Sequence, residues 1–92
     1  MKLITVEAFF SSDTVAKALD AVNAQAETVS AMDGCERYAV YRSDAALALV
    51  QKWHSMPQFD AYRNSDVFAG LIGALKPLMS APPVTTIANV DT

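Results

Sequence analysis

The chain has 92 residues, enough for one domain over residues 1–92 and too few for two, because a core must bury enough apolar surface to offset chain entropy. Hydrophobic residues make up 52% and charged residues 18%, a balance that would leave apolar surface bare on a small monomer and points to a subunit interface. Seven Lys and Arg against ten Asp and Glu give a net charge of -3, with no basic cluster to neutralise a run of phosphates, which argues against nucleic acid as a partner.

Leu3 to Phe10 reads as a first strand, with Leu3, Thr5, Glu7 and Phe9 on one face and Ile4, Val6 and Ala8 on the other. The stretch from Met1 to Glu7 lacks the pattern of a secretory signal, and no apolar run reaches the roughly 18 residues of a membrane span, so the expectation is a cytoplasmic protein without a membrane partner. Ser11, Ser12 and Asp13 are capping residues. After them Val15, Ala18, Leu19, Val22, Ala26 and Val29 recur at helical spacing and predict a long amphipathic helix that Gly34 terminates in a left-handed turn.

Cys35 is the single cysteine, which excludes an internal disulfide and a thiolate metal cluster. Beside Gly34 and Glu36 it lacks electropositive surroundings and reads as a small buried hydrophobe. Glu36 to Arg42 and Ala46 to Trp53 form two further strands, joined through Ser43-Asp44 as a hairpin. His54 is the single histidine, so a zinc site of the usual ligand set is not expected, and it is assigned no role.

Ser55-Met56-Pro57-Gln58 carries the signals of a capping box with proline in the first turn. Asn64-Ser65-Asp66 is a second capping signal, followed by the stripe Phe68, Leu71, Ile72 and Leu75, which Pro77 limits; the second helical region is therefore predicted in two pieces. Pro82-Pro83 does not suit a central strand, and the last strand is expected over Val84 to Val90.

The order β-α-β-β-α-β with right-handed crossovers gives an α+β, ferredoxin-like fold: a four-stranded antiparallel sheet with helices on one face. The strands are apolar on both faces, as Ala46, Ala48 and Val50 against Leu47 and Leu49 illustrate. A two-fold homodimer packing sheet on sheet is the economical way to bury the uncovered face, with a pocket left between each sheet and its helices.

Several local patterns then coincide. The first strand through Val6-Glu7-Ala8, the Asp33-Gly34-Cys35-Glu36-Arg37-Tyr38 turn into strand two, Lys52-Trp53-His54-Ser55, Asn64-Ser65-Asp66-Val67-Phe68 with Leu71, and Pro82-Pro83 resemble, in order and spacing, the antibiotic biosynthesis monooxygenase domains, small dimeric α+β barrels. The resemblance implies a family in which some members oxygenate polycyclic phenols or quinols without metal or flavin, and others bind and degrade haem. The chain departs from it at Tyr62 and Val67, where enzymes of the family often carry histidine. The axial histidine of the haem-degrading branch would fall near Ile72, and its first-strand asparagine at Glu7.

Weighed singly, Glu7 is either a general base desolvated in a pocket or the partner of Arg37, Arg42 or Lys52 across the sheet or dimer. Trp53 is a stacking wall for a flat substrate or part of the core. Tyr62, three residues after Phe59 on one side of a short helix, offers a phenol to a substrate oxygen or caps the dimer. Phe68 and Ile72 match core spacing and would shape a pocket with Phe59; Tyr38 and Arg42, on one face of strand two, orient a phenolate or form a surface pair. The leading expectation is a monooxygenase that needs no cofactor or metal and acts on a phenolic, anthrone-like or quinol substrate, with Glu7 and Tyr62 catalytic and the others binding. The alternatives are a non-catalytic carrier of small apolar molecules, an interaction dimer with a filled cleft, and haem binding.

Overall fold

The computed structural model describes residues 1–90. In chain order it contains β1 (Lys2–Phe9), α1 (Val15–Ser30), β2 (Cys35–Arg42), β3 (Ala46–Trp53), α2 (Met56–Arg63), α3 (Asp66–Leu75), a 3-10 turn over Lys76–Leu78, and β4 (Ala81–Asn89). The strands form one antiparallel sheet in the order β2-β3-β1-β4, with the two crossovers packed on one face. The expected β-α-β-β-α-β fold is thus present, its second helical region split as anticipated.

The split has a local cause. Ser65 is the N-cap of α3: its Oγ accepts from the Phe68 amide at 3.2 Å and donates to the Tyr62 carbonyl at 2.6 Å. One hydroxyl therefore closes α2 and opens α3. Gly34 adopts φ +86°, the left-handed conformation that turns the chain from α1 towards β2.

Two expectations are corrected. The run Ser11 to Asp13 does not cap α1; Thr14 occupies that position and its hydroxyl instead donates to the Leu78 carbonyl at 3.2 Å, tying the helix start to the 3-10 turn. At the other end of the chain, β4 begins at Ala81 and includes Pro82 and Pro83. An edge strand tolerates prolines whose missing N–H groups are not needed by a neighbour, and the register shift between Glu7 and Phe9 accommodates them.

Strand pairing sorts the side chains. Directly paired residues share a face, so Ile4, Val6, Ala8, Tyr38, Val40, Leu47, Leu49, Gln51 and Trp53 point to the helices, while Leu3, Thr5, Glu7, Tyr41, Ala48, Val50, Lys52 and Val84 point away. Beneath the helices lie two clusters: Ala8, Phe10, Val15, Ala18, Val22, Leu47, Leu49, Leu71 and Leu75 form one, and Ile4, Val29, Trp53, Phe59 and Tyr62 the other. The helices stop short of β4, whose nine residues are all exposed, Val84 to 55% and Ile87 to 44%.

Candidate functional site

Where the two clusters meet, the side chains leave a cavity of about 160 Å³ between the sheet and α2–α3. Val6, Leu49 and Gln51 form its floor and Phe59, Tyr62, Phe68, Leu71 and Ile72 its wall. Met79, Pro83 and Thr85 line the side towards β4, and Arg63 lies at the rim. The helical spacing that marked Phe59 and Tyr62, and then Phe68 and Ile72, delivers all four to this wall.

The wall is a packed aromatic group. The Tyr62 ring stacks on Trp53 at 5.3 Å between centroids and 19° between planes, and meets Phe68 edge-on at the same distance and 85°. Phe59 lies 6.3 Å from Tyr62, and the Arg63 guanidinium sits 4.8 Å from the Phe59 centroid while bonding Asp60 at 2.8 Å. Such mutual contacts fix ring orientations before any ligand arrives.

Trp53 is not itself a wall. It is fully buried behind Tyr62, and its indole N–H donates to Gln51 Oε1 at 2.9 Å. Tyr38 also stays out of the cavity, packing edge-on to Tyr62 at 6.4 Å, with its hydroxyl buried and without a hydrogen-bond partner among the described residues. Burial pushes the Tyr38 hydroxyl above its ordinary range, and burial together with the neighbouring Tyr38 pushes Tyr62 up much further. Both phenols are therefore protonated near neutral pH, and neither is poised there as a base.

Glu7 and Arg42 lie elsewhere. Glu7 is exposed on the face turned away from the helices, with Ala48 and Val84 as its strand neighbours, and with Arg42 it borders a shallow groove there. A base that desolvates inside the helix-side pocket requires the opposite face, so the pocket role expected of Glu7 is corrected by the register. Arg42, at the exposed end of β2, is likewise separated from the cavity, and Tyr38 and Arg42 do not converge on a ligand. The exposed His54 bonds Glu36, and Cys35 is half-buried, where burial raises its thiol pKa.

Gln51 escaped the sequence reading. It is the buried polar side chain of the described core, 2% exposed, at a position where the alternation Leu47, Leu49, Trp53 calls for an apolar residue. That interruption was the available signal: a polar group on a buried face needs partners.

The family model for antibiotic biosynthesis monooxygenase matches residues 2–72, from β1 into α3. The chain belongs to this family. Among solved structures, the antibiotic biosynthesis monooxygenase fold is reproduced by a "Putative antibiotic biosynthesis monooxygenase from Nitrosomonas europaea", with a TM-score of 0.93 at 15% identity over 98% of each chain. Rv0793 from Mycobacterium tuberculosis superposes with a TM-score of 0.90 at 21% identity, covering 99% of this chain and 96% of that one. A conserved protein from Methanosarcina mazei Go1 gives 0.91 at 16% identity over 98% and 92%. No curated protein matches the chain in sequence.

The haem chemistry known in some relatives can be tested against these residues. No imidazole, thiolate or carboxylate lines the cavity, and Ile72 stands where an axial histidine would fall. The residues do not fit haem. No helix among the described residues is long and apolar enough to cross a membrane.

Proposed function

We propose that this chain is a monooxygenase that oxidises a single-ring phenol or quinol with dioxygen, using neither metal nor flavin, and that it works as a homodimer. The observation that carries the reading is the apolar cavity under the helices: about 160 Å³, walled by Phe59, Tyr62, Phe68 and Ile72 and open towards β4. A cavity of about 150 Å³ holds one benzene ring, so the space suits one ring. Family membership supplies the reaction type.

For a phenol the balance is one substrate and one dioxygen giving one quinone and one water. One oxygen atom enters the ring, the other leaves as water, and the substrate provides all four electrons. The titratable side chains on the cavity are Tyr62, held protonated, and Arg63 at the rim. With no base among them, the substrate enters already ionised, and the protein contributes orientation, exclusion of water and a donor for the phenolate oxygen. The rate should then follow the substrate's own pKa across a series of substituted phenols.

Oxygen uptake with methyl- and chloro-substituted hydroquinones, in buffer freed of metal and flavin, tests the reading. Uptake above the protein-free rate, with rate–pH midpoints tracking each substrate, supports it; uptake equal to the protein-free rate sinks it. The missing base is also what a carrier of small aromatic molecules would show, and saturable binding without turnover would decide for that second reading.

The dimer proposal rests on the face turned from the helices. Leu3, Ala48, Val50 and Val84 lie there without cover, and β4 is exposed along its whole length. A second copy presenting the same surface through a two-fold axis buries both at once.

A further inference from the structure

We propose that Gln51 determines ligand specificity, donating an N–H from its carboxamide to an acceptor oxygen on the ring, or one bond from the ring, of the aromatic molecule in the cavity. This rests on the reading of the cavity as an aromatic site, though not on turnover.

Three observations lead there. Gln51 is 2% exposed in the middle of β3, between Ile4 and Tyr38 on its neighbouring strands. A buried amide is costly unless its hydrogen bonds are met. Its Oε1 is met by the Trp53 indole at 2.9 Å. Indole N–H only donates, so this bond fixes which end of the amide is oxygen and turns Nε2, with two N–H donors, the other way. Gln51 lines the cavity, and Nε2 makes no hydrogen bond to another described residue.

The surroundings sharpen the consequence. Besides Gln51, the lining carries side-chain hydrogen-bonding groups at Tyr62, at Thr85 on the β4 side and at Arg63 on the rim, while Val6, Leu49, Phe59, Phe68 and Leu71 offer none. A ligand oxygen brought near Nε2 gains a hydrogen bond in a mostly apolar setting; a hydrocarbon of the same shape leaves two N–H groups unpaired. Trp53 acts as the positioning residue. Held between Tyr62 and Gln51, it keeps the amide from flipping and presenting an acceptor instead. The preferred ligands are therefore phenolates, quinones and aryl ketones, rather than anilines or alkylbenzenes.

Acetophenone and cumene are near-isosteric single-ring probes that differ in the carbonyl oxygen. Calorimetric titration of the wild-type chain should give at least a tenfold tighter Kd for acetophenone, and Gln51→Leu should reduce that ratio to about one while cumene still binds. In the wild-type protein, the Gln51 side-chain amide resonances should shift with acetophenone and stay in place with cumene, a readout that does not depend on how the variant folds. Equal affinity of the two probes for wild type, or a preference that survives Gln51→Leu, overturns the role of Gln51 while leaving the aromatic site standing. Failure of both probes to bind overturns the aromatic site and this inference with it.

Discussion

Glu7 and Gln51 each interrupt an apolar alternation, and one step of register gives them opposite environments. Glu7 is exposed beside Ala48 and Val84, and Gln51 is buried against Trp53. Period-two spacing shows which residues share a face but not which face the helices take, so the sequence marked Glu7 as unusual and misplaced it. Glu7→Gln is therefore expected to leave substrate turnover within about twofold of wild type, because removing a charge from the far side of the sheet touches nothing in the cavity; a hundredfold fall in kcat/KM would return Glu7 to the mechanism. Tyr62 makes a different prediction. The unfolded chain releases tyrosine protons near the ordinary value of 10.0, whereas burial makes the folded chain hold those of Tyr38 and Tyr62 to higher pH. Their stabilising contribution is full below about pH 10 and declines as pH rises beyond it. The urea midpoint followed by Trp53 fluorescence should fall above that pH and fall less steeply in Tyr62→Phe; equal slopes would refute the assignment.

The wall of the cavity is placed by the junction of α2 and α3 more than by either helix. Ser65 bonds the last turn of α2 through the Tyr62 carbonyl and the first turn of α3 through the Phe68 amide, so the two aromatic residues that meet edge-on are held by one side chain. Ser65→Ala should cost about 0.5–2 kcal/mol in urea unfolding, the range for losing an N-cap, and should weaken binding of a one-ring ligand as the wall loosens. A variant as stable as wild type would show that tertiary packing alone holds the junction. This break was legible because Asn64-Ser65-Asp66 is a chemical signal with a local mechanism. The capping box expected at Ser55 and Gln58 was less so: Ser55 Oγ donates to Gln58 Oε1 at 3.1 Å, and Gln58 reaches Asp33 instead of its own helix start. The start of β4 could not be read at all from local rules. Prolines are excluded from central strands and allowed at edges, and which strand is the edge is decided by the order β2-β3-β1-β4, a property of the whole sheet.

At the level of the whole molecule, the same β4 links assembly to the cavity. Its Pro83 and Thr85 line one side of the cavity, while Val84 between them faces the opposite way, 55% exposed and paired with Glu7 on the uncovered face. If that face belonged to a working monomer, Val84→Asp would be an ordinary surface change, within about 0.5 kcal/mol of neutral and silent in the cavity. In a sheet-on-sheet dimer the substitution sets a second carboxylate beside Glu7 in each half of the contact, where like charges are desolvated together, and two-fold symmetry applies the cost twice. Wild type should therefore sediment at twice the 9.9 kDa chain mass at micromolar concentration, with a thermal midpoint that rises with protein concentration as mass action requires. Val84→Asp should sediment as one chain, lose that concentration dependence, and bind acetophenone more weakly although its side chain points away from the ligand. The weakening follows because β4, bonded to the sheet only along β1, has no helix over it and depends on the partner to hold Pro83 and Thr85 in place. A wild-type chain that sediments as a monomer under these conditions would remove the dimer, and with it the expectation that a change on one face of β4 is felt on the other.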